Sequence, residues 1–279
     1  MSINDNGFLG KEIDLWIKKY QTENSELYDF YLDINQFAHK KVFELSIHDD
    51  NGQEVIASSL YLRLLSQYQS VLILSERGMV NEAKIILRAM LDGLFILSAI
   101  SKNEKYMRYY INEDIDKRIE YLKHFENNTE GLFEYVNTVM TKEEIQSLLL
   151  ELKEKKETLE KEGFKRKKRL STREWAILSG MEEIYYKIYS QFNYAVHGLT
   201  RELEQYVIKN DSGDITGLNW GPDAEGFDII LNTSADVLVK ALDAICDLFS
   251  LDKTALRTYK KKLDGFEIKS QDIRIKPQE

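Results

Sequence analysis

Residues 79–100, MVNEAKIILRAMLDGLFILSAI, decide the fold. From Ile85 onward the stretch is apolar on almost every side, and a helix that is apolar all round must be surrounded by other protein. Two charged residues interrupt it, Arg88 and Asp92, one helical turn apart. The segment therefore reads as the central helix of an all-helical domain, with both charges buried in its middle. A lone buried charge is very costly, so each needs a partner. The two can pair at i,i+4, but an acid placed C-terminal to its base is the weaker order in an isolated helix. At least one of them is expected to reach another helix.

Working outward toward the N-terminus, residues 54–76 form a helix with Leu60, Leu64, Tyr68, Val71 and Leu74 facing inward. Arg77-Gly78 closes it, since glycine is the usual residue just past a helix end. Residues 25–47 carry Leu27, Tyr31, Ile34, Ala38, Val42 and Leu45 at three- and four-residue steps, a helical period. Residues 8–22 form a shorter amphipathic helix, and HDDNGQ (48–53) makes a turn. Short loops between long helices imply antiparallel neighbours.

Toward the C-terminus, residues 103–126 are rich in tyrosine and charge, with one apolar face. Residues 141–170 are dominated by Glu and Lys, with a thin stripe of Ile145, Leu148, Leu149, Leu152 and Leu159. Glu-to-Lys pairs three or four apart support a solvated helix, expected to be a long arm that projects or packs on a partner. Ser171 to Glu174 reads as a capped helix start. Residues 209–227 are the least helical and suit an irregular loop or small hairpin. A strong helix follows over 232–249, then a short basic helix over 254–263. The expected architecture is an all-α, multi-helix up-down bundle in one domain over 1–279. Its core spans 8–126 and 171–263, its arm 141–170 and its polar tail 264–279.

The 279 residues are 43% hydrophobic and 30% charged, with only 2 prolines and 14 glycines, which favours long helices. The net charge of −9 is wrong for a protein that coats nucleic acid, so any RNA contact must be local. A single cysteine, Cys246, excludes an internal disulfide and suits a cytoplasmic location. No signal-peptide layout is visible. The most apolar run, residues 90–100, is too short to span a bilayer. No metal-ligand spacing, phosphate loop, dinucleotide fingerprint or nucleophile elbow is present, so no metal and no cofactor is expected. Cys246 lies on an apolar helix face and reads as a core residue.

Three further features carry chemistry. His197 follows Asn193 by four and Ser190 by seven, so the three line one helical face with Tyr186 and Tyr189 nearby. Histidine moves protons near neutral pH. One reading is a histidine satisfied by a neighbouring helix; the other brings His197 to Arg88 and Asp92 across the bundle as a catalytic set, with Tyr189, Ser190 and Asn193 binding ligand. The basic run Lys165, Arg166, Lys167, Lys168 and Arg169 suits a phosphate backbone or a solvated helix end.

The pieces Ile86-Leu87-Arg88-Ala89-Met90-Leu91-Asp92 and Tyr189-Ser190 with Val196-His197-Gly198 resemble DUF5677, a bacterial family of unknown function. That family usually has glutamate where Asp92 stands, one methylene longer. The resemblance implies an all-helical cytoplasmic protein in which Arg88, Asp92 and His197 belong together, and it leaves the activity open. A looser similarity is to HEPN-type helical ribonucleases, whose signature is an arginine followed four to six residues later by a histidine. Arg118 and His124 have that spacing, with Ile119 where a polar residue is common. Six residues turn a helix by about 600°, which leaves the two side chains well apart. Arg88 and His197 in the same roles would hold a scissile phosphate and move the 2′-hydroxyl proton.

The leading expectation is thus an accessory or effector protein of a bacterial defence or toxin-like system. Its Arg88, Asp92 and His197 centre would bind or cleave a phosphate-containing ligand, RNA first, without metal. The rival is a non-enzymatic interaction or oligomerisation module. In it Arg88 and Asp92 are structural, and the charged arm recruits a partner or a second copy.

Overall fold

A computed structural model describes residues 3–126, 140–164, 169–197 and 200–274. The principal helices, in chain order, are α1 (Ile13–Glu23), α2 (Ser25–Val42), α3 (Gly52–Glu76), α4 (Val80–Lys102), α5 (Glu104–Glu126) and α6 (Lys142–Leu159). They continue with α7 (Thr172–Ser179), α8 (Ser190–His197), α9 (Phe227–Leu248) and α10 (Thr254–Arg274). Among the described residues the fold is all-α apart from one small hairpin, and no described helix is long and apolar enough to cross a membrane. The chain folds as two compact units, Met1–Lys102 with Thr172–Glu279, and Asn103–Ser171.

In the first unit α4 is central and packs against α3, α7, α8 and α9. Leu87, Met90, Leu91, Leu94, Phe95 and Leu97 of α4 are fully buried, as an all-round apolar helix requires. The link from α3 to α4 is a tight turn. Gly78 adopts φ +73°, its N–H donates to the Ser75 carbonyl, and the Met79 N–H donates to the Leu74 carbonyl. This double bond pattern satisfies the last carbonyls of α3 and reverses the chain, so α4 returns along α3. Gly93 permits their close approach, since a Cβ there would stand 3.1 Å from Leu64 Cδ2.

Buried tyrosines tie the other core helices together through their hydroxyls. Tyr61 donates to the Ala38 carbonyl (2.7 Å), Tyr68 to the Tyr31 carbonyl (3.0 Å) and Tyr31 to Asn232 Oδ1 (2.6 Å). Burial pushes all three phenols well above their ordinary value, so they stay neutral and act as donors.

The hairpin pairs β1 (Val207–Lys209) antiparallel with β2 (Ile215–Leu218). Asn210 makes its turn, accepting from the Ser212 and Asp214 N–H groups on its side-chain oxygen. The hairpin segment is pinned to the α3–α4 corner by the Asp223 N–H to the Gly78 carbonyl (3.0 Å) and by Asn81 Nδ2 to the Tyr206 hydroxyl (2.6 Å).

In the second unit α5 and α6 pack along each other. Ile115 and Ile119 bury against Ile145, Leu149 and Leu152. The thin stripe of the charged helix is therefore covered by the chain's own α5, a helix the sequence reading places in the core bundle. α6 begins with a capping box, Thr141 and Glu144 exchanging side-chain-to-backbone bonds, which satisfies two otherwise unpaired N–H groups. The chain kinks after α6 at Gly163, which takes φ +92°.

Candidate functional site

Arg88 sits on the face of α4 that meets α8, and three contacts fix its guanidinium. Nη1 donates to Asp92 Oδ2, one turn along the same helix. Nε donates to Asn193 Oδ1 of α8 at 3.3 Å. The planar group lies over the Tyr189 ring, 3.5 Å from its centroid. An arginine so held is attracted to the negative ring face and keeps its fork in one plane. The expectation that both charges are buried is corrected for each of them: both are only partly buried. The Arg88 side chain is 14% exposed, whereas that of Asp92 is 37% exposed. The carboxylate thus keeps part of its hydration, and the cluster opens at the surface.

The segment preceding α8 positions Tyr189. Residues Tyr185–Tyr189 form a π-helical turn, the wider i→i+5 geometry that recurs at functional sites. The Ser190 N–H and the Ser190 hydroxyl both donate to the Tyr185 carbonyl. The Ser190 hydroxyl is thereby committed to the turn. Tyr185 stacks on Tyr189 at 4.9 Å between centroids and 22° between planes, and Phe95 of α4 packs 6.0 Å from the Tyr189 ring centroid. Tyr189 is buried. The extra residue in the π turn sets the phase of α8, so Tyr189 and Asn193 meet Arg88 together.

Four of the sequence-derived site residues therefore gather in one place: Arg88, Asp92, Tyr189 and Asn193. His197 is the last residue of α8, one turn beyond Asn193, and its side chain lies outside the described residues. Lys165, Arg166, Lys167 and Lys168 also lie outside them. Arg169, the remaining member of that run, belongs to the second unit, is exposed and has Nε 3.9 Å from Glu113 Oε2. Arg118 and His124 are both exposed on the one helix α5, with Arg118 4.0 Å from Asp114, so this spacing assembles no site. Cys246 is buried and burial pushes its thiol up, as suits a core residue. Among the described residues no group of three or more His, Cys, Asp and Glu side chains has the arrangement of a metal site.

The π turn is the site feature that the sequence reading misses. YYKIYSQFNY has an ordinary helical pattern, and only the tertiary fit of Tyr189 against α4 distinguishes a wider turn from a regular one.

Among known proteins, the model of DUF5677, described as a family of unknown function, matches residues 54–215. No curated protein and no solved structure matches the chain. The matched span runs from α3 to the hairpin and includes every residue of the Arg88 cluster. As more than half of its length lies within the match, the chain belongs to the DUF5677 family.

Proposed function

We propose that the Arg88 cluster is an anion site that takes the phosphate of a phosphate-containing ligand, with RNA as the ligand class. The observation that carries this reading is the pre-oriented guanidinium. Tyr189, Asn193 and Asp92 hold it while 14% of the side chain still meets solvent. A fixed guanidinium fork matches two phosphate oxygens with little further loss of side-chain entropy. Nε and Nη1 are the nitrogens engaged by Asn193 and Asp92, and Nη2 is the donor proposed for such an oxygen. Asp92 tempers the positive charge, and this favours a ligand recognised by geometry over one drawn by bulk charge. The acidic balance of −9 agrees with local recognition. Cleavage would ask in addition for a proton carrier, the role proposed for His197.

The test is anisotropy of a labelled single-stranded RNA oligonucleotide with wild type, Arg88→Met and Asn193→Ala, each checked for folding. Losing a charge-assisted hydrogen bond of ~1.5–3 kcal/mol weakens binding about tenfold to a hundredfold. Equal binding by folded Arg88→Met removes the site. RNA decay compared between wild type and His197→Ala decides cleavage separately.

A second reading has its own observation in favour. The same contacts join α4 to α8, so the cluster also suits a structural clamp in a non-enzymatic interaction module. In that case Arg88→Met lowers the melting temperature while partner or self-association survives per folded molecule, as read by solution mass and pull-down.

A further inference from the structure

The π turn that brings Tyr189 to Arg88 carries two more tyrosines, and they continue outward from the cluster as a chain of ring contacts. Tyr189 is buried under the Arg88 guanidinium. Tyr185 stacks on Tyr189. Tyr186 meets Tyr185 nearly at right angles, with 80° between planes and 5.4 Å between centroids. The guanidinium carbon of Arg173, in the first turn of α7, lies over the Tyr186 ring, 5.4 Å from its centroid. The order is thus Arg88, Tyr189, Tyr185, Tyr186, Arg173, and all five belong to the first unit.

Exposure rises along this chain. Tyr189 is buried, Tyr185 is partly buried and Tyr186 is 52% exposed. Packing on α4 accounts for the inner end, where Phe95 meets the Tyr189 ring. It does not account for Tyr186, which is oriented by Tyr185 and Arg173 without being enclosed. Arg173 is itself held from a second side, since Nη2 donates to Glu182 Oε1 at 3.2 Å. An oriented ring that still meets solvent suits base stacking: every base has a π-face, and a ring already fixed loses little freedom on receiving one. Arginine beside such a ring adds a cation and a second planar surface. The four steps from Arg88 to Arg173 are short, from 3.5 to 5.4 Å, so one strand of a few nucleotides reaches both ends.

We propose that Tyr186 is the base-stacking platform of the Arg88 site. A phosphate of single-stranded RNA sits on Arg88, the base of a nearby nucleotide stacks on Tyr186, and Arg173 flanks that base. The inference rests on the anion-site reading and narrows it to a strand with an unpaired base. Base identity matters little, because stacking on a ring tolerates any sequence. Duplex RNA is disfavoured, because its bases are already stacked and paired with one another.

The test is anisotropy of a short labelled single-stranded RNA of mixed sequence with the full chain, as wild type, Tyr186→Leu, Tyr186→Phe and Arg88→Met, each checked for folding by its melting temperature. Tyr186→Leu should weaken binding about fivefold or more, the loss of one base–ring contact. Tyr186→Phe keeps the ring and should stay within about twofold of wild type. The same RNA annealed to its complement should bind at least about tenfold more weakly. Folded Tyr186→Leu that binds as wild type does overturns the platform; if Arg88→Met then still loses binding, the anion site itself stands. Loss in Tyr186→Leu with none in Arg88→Met removes the anion site, and the platform falls with it. Duplex that binds as tightly as the single strand overturns the need for an unpaired base, and this comparison on wild type keeps the test open if Tyr186→Leu misfolds. No RNA binding by wild type overturns both readings.

Discussion

The guanidinium carbon of Arg88 lies 3.5 Å from the centroid of the Tyr189 ring, with Asn193 accepting from Nε of the same group. The two residues are 101 positions apart in the chain, so their meeting is a property of the fold. It joins the central helix α4 to α8 through a cation, a ring face and an amide. The same contacts that could orient a ligand-binding arginine also contribute to stability, and the two roles separate by experiment.

Arg88→Met should destabilise the protein by about 1–3 kcal/mol, through loss of the ring contact and of two hydrogen bonds. Asp92→Asn should cost less than about 1 kcal/mol, because its carboxylate is 37% exposed and solvent screens the pair. Denaturant unfolding of both variants checks the order. A larger loss for Asp92→Asn would contradict this account of the cluster.

The corner between α3 and α4 depends on Gly78. A Cβ at this position would stand 2.4 Å from Pro222 Cβ and 2.7 Å from Pro222 Cα, on top of a backbone φ of +73°. Gly78→Ala should therefore cost about 2 kcal/mol or more, combining left-handed strain with overpacking. Gly163→Ala, at φ +92° with nothing within 4 Å of the new methyl, should show the backbone part alone, about 1–2 kcal/mol. Equal losses measured by chemical unfolding would mean that the Pro222 contact yields freely.

The tyrosine bonds of the core should be individually costly. Tyr31→Phe removes the donor to Asn232 Oδ1 at 2.6 Å and leaves that acceptor short of a partner. A loss of about 1–3 kcal/mol is expected in urea unfolding. A loss below about 0.5 kcal/mol would show that Asn232 finds another donor without strain.

The start of α3 should respond to pH. His48 Nδ1 lies 2.8 Å from Glu54 Oε2, and the His48 backbone N–H donates to the same oxygen at 2.9 Å. The side-chain hydrogen bond to Glu54 raises the histidine above its ordinary 6.5. The backbone and side-chain hydrogen bonds from His48 hold the Glu54 carboxyl below its ordinary 4.5. The raised histidine contributes stability that is full below its unfolded value near 6.5 and is lost as pH rises through its folded value. The depressed carboxyl contributes stability present above about 4.5 and lost as pH falls through its folded value. Both therefore act together between about 4.5 and 6.5. A proton NMR titration should place His48 above 6.5 and return it toward that value in Glu54→Gln; an unchanged midpoint in the variant would contradict the pairing.

Much of this was legible in residue order. The apolar surface on almost every side after Ile85 requires α4 to be enclosed, and Arg77-Gly78 marks the reversal before it. The turn residues between Lys209 and Phe227 mark the hairpin. That at least one of Arg88 and Asp92 reaches another helix follows from their weak local order, and Arg88 is the one that does so, at Asn193. Two matters were not legible. The stripe Ile145, Leu149 and Leu152 shows that α6 buries one narrow face, but nothing local says that Ile115 and Ile119 cover it. The π turn at Tyr185–Tyr189 uses residues that suit a regular helix equally well, so nothing local marks it.

The most direct test of the anion site is arginine-selective NMR of the Arg88 side chain during titration with a short single-stranded RNA. Bonding to Asn193 should give the Arg88 Nε–H a slowly exchanging resonance, assigned by its loss in Arg88→Met. The account predicts that RNA shifts this resonance saturably in the wild type. An Arg88 signal that stays fixed while RNA saturates the protein, or in the absence of any binding, would contradict it.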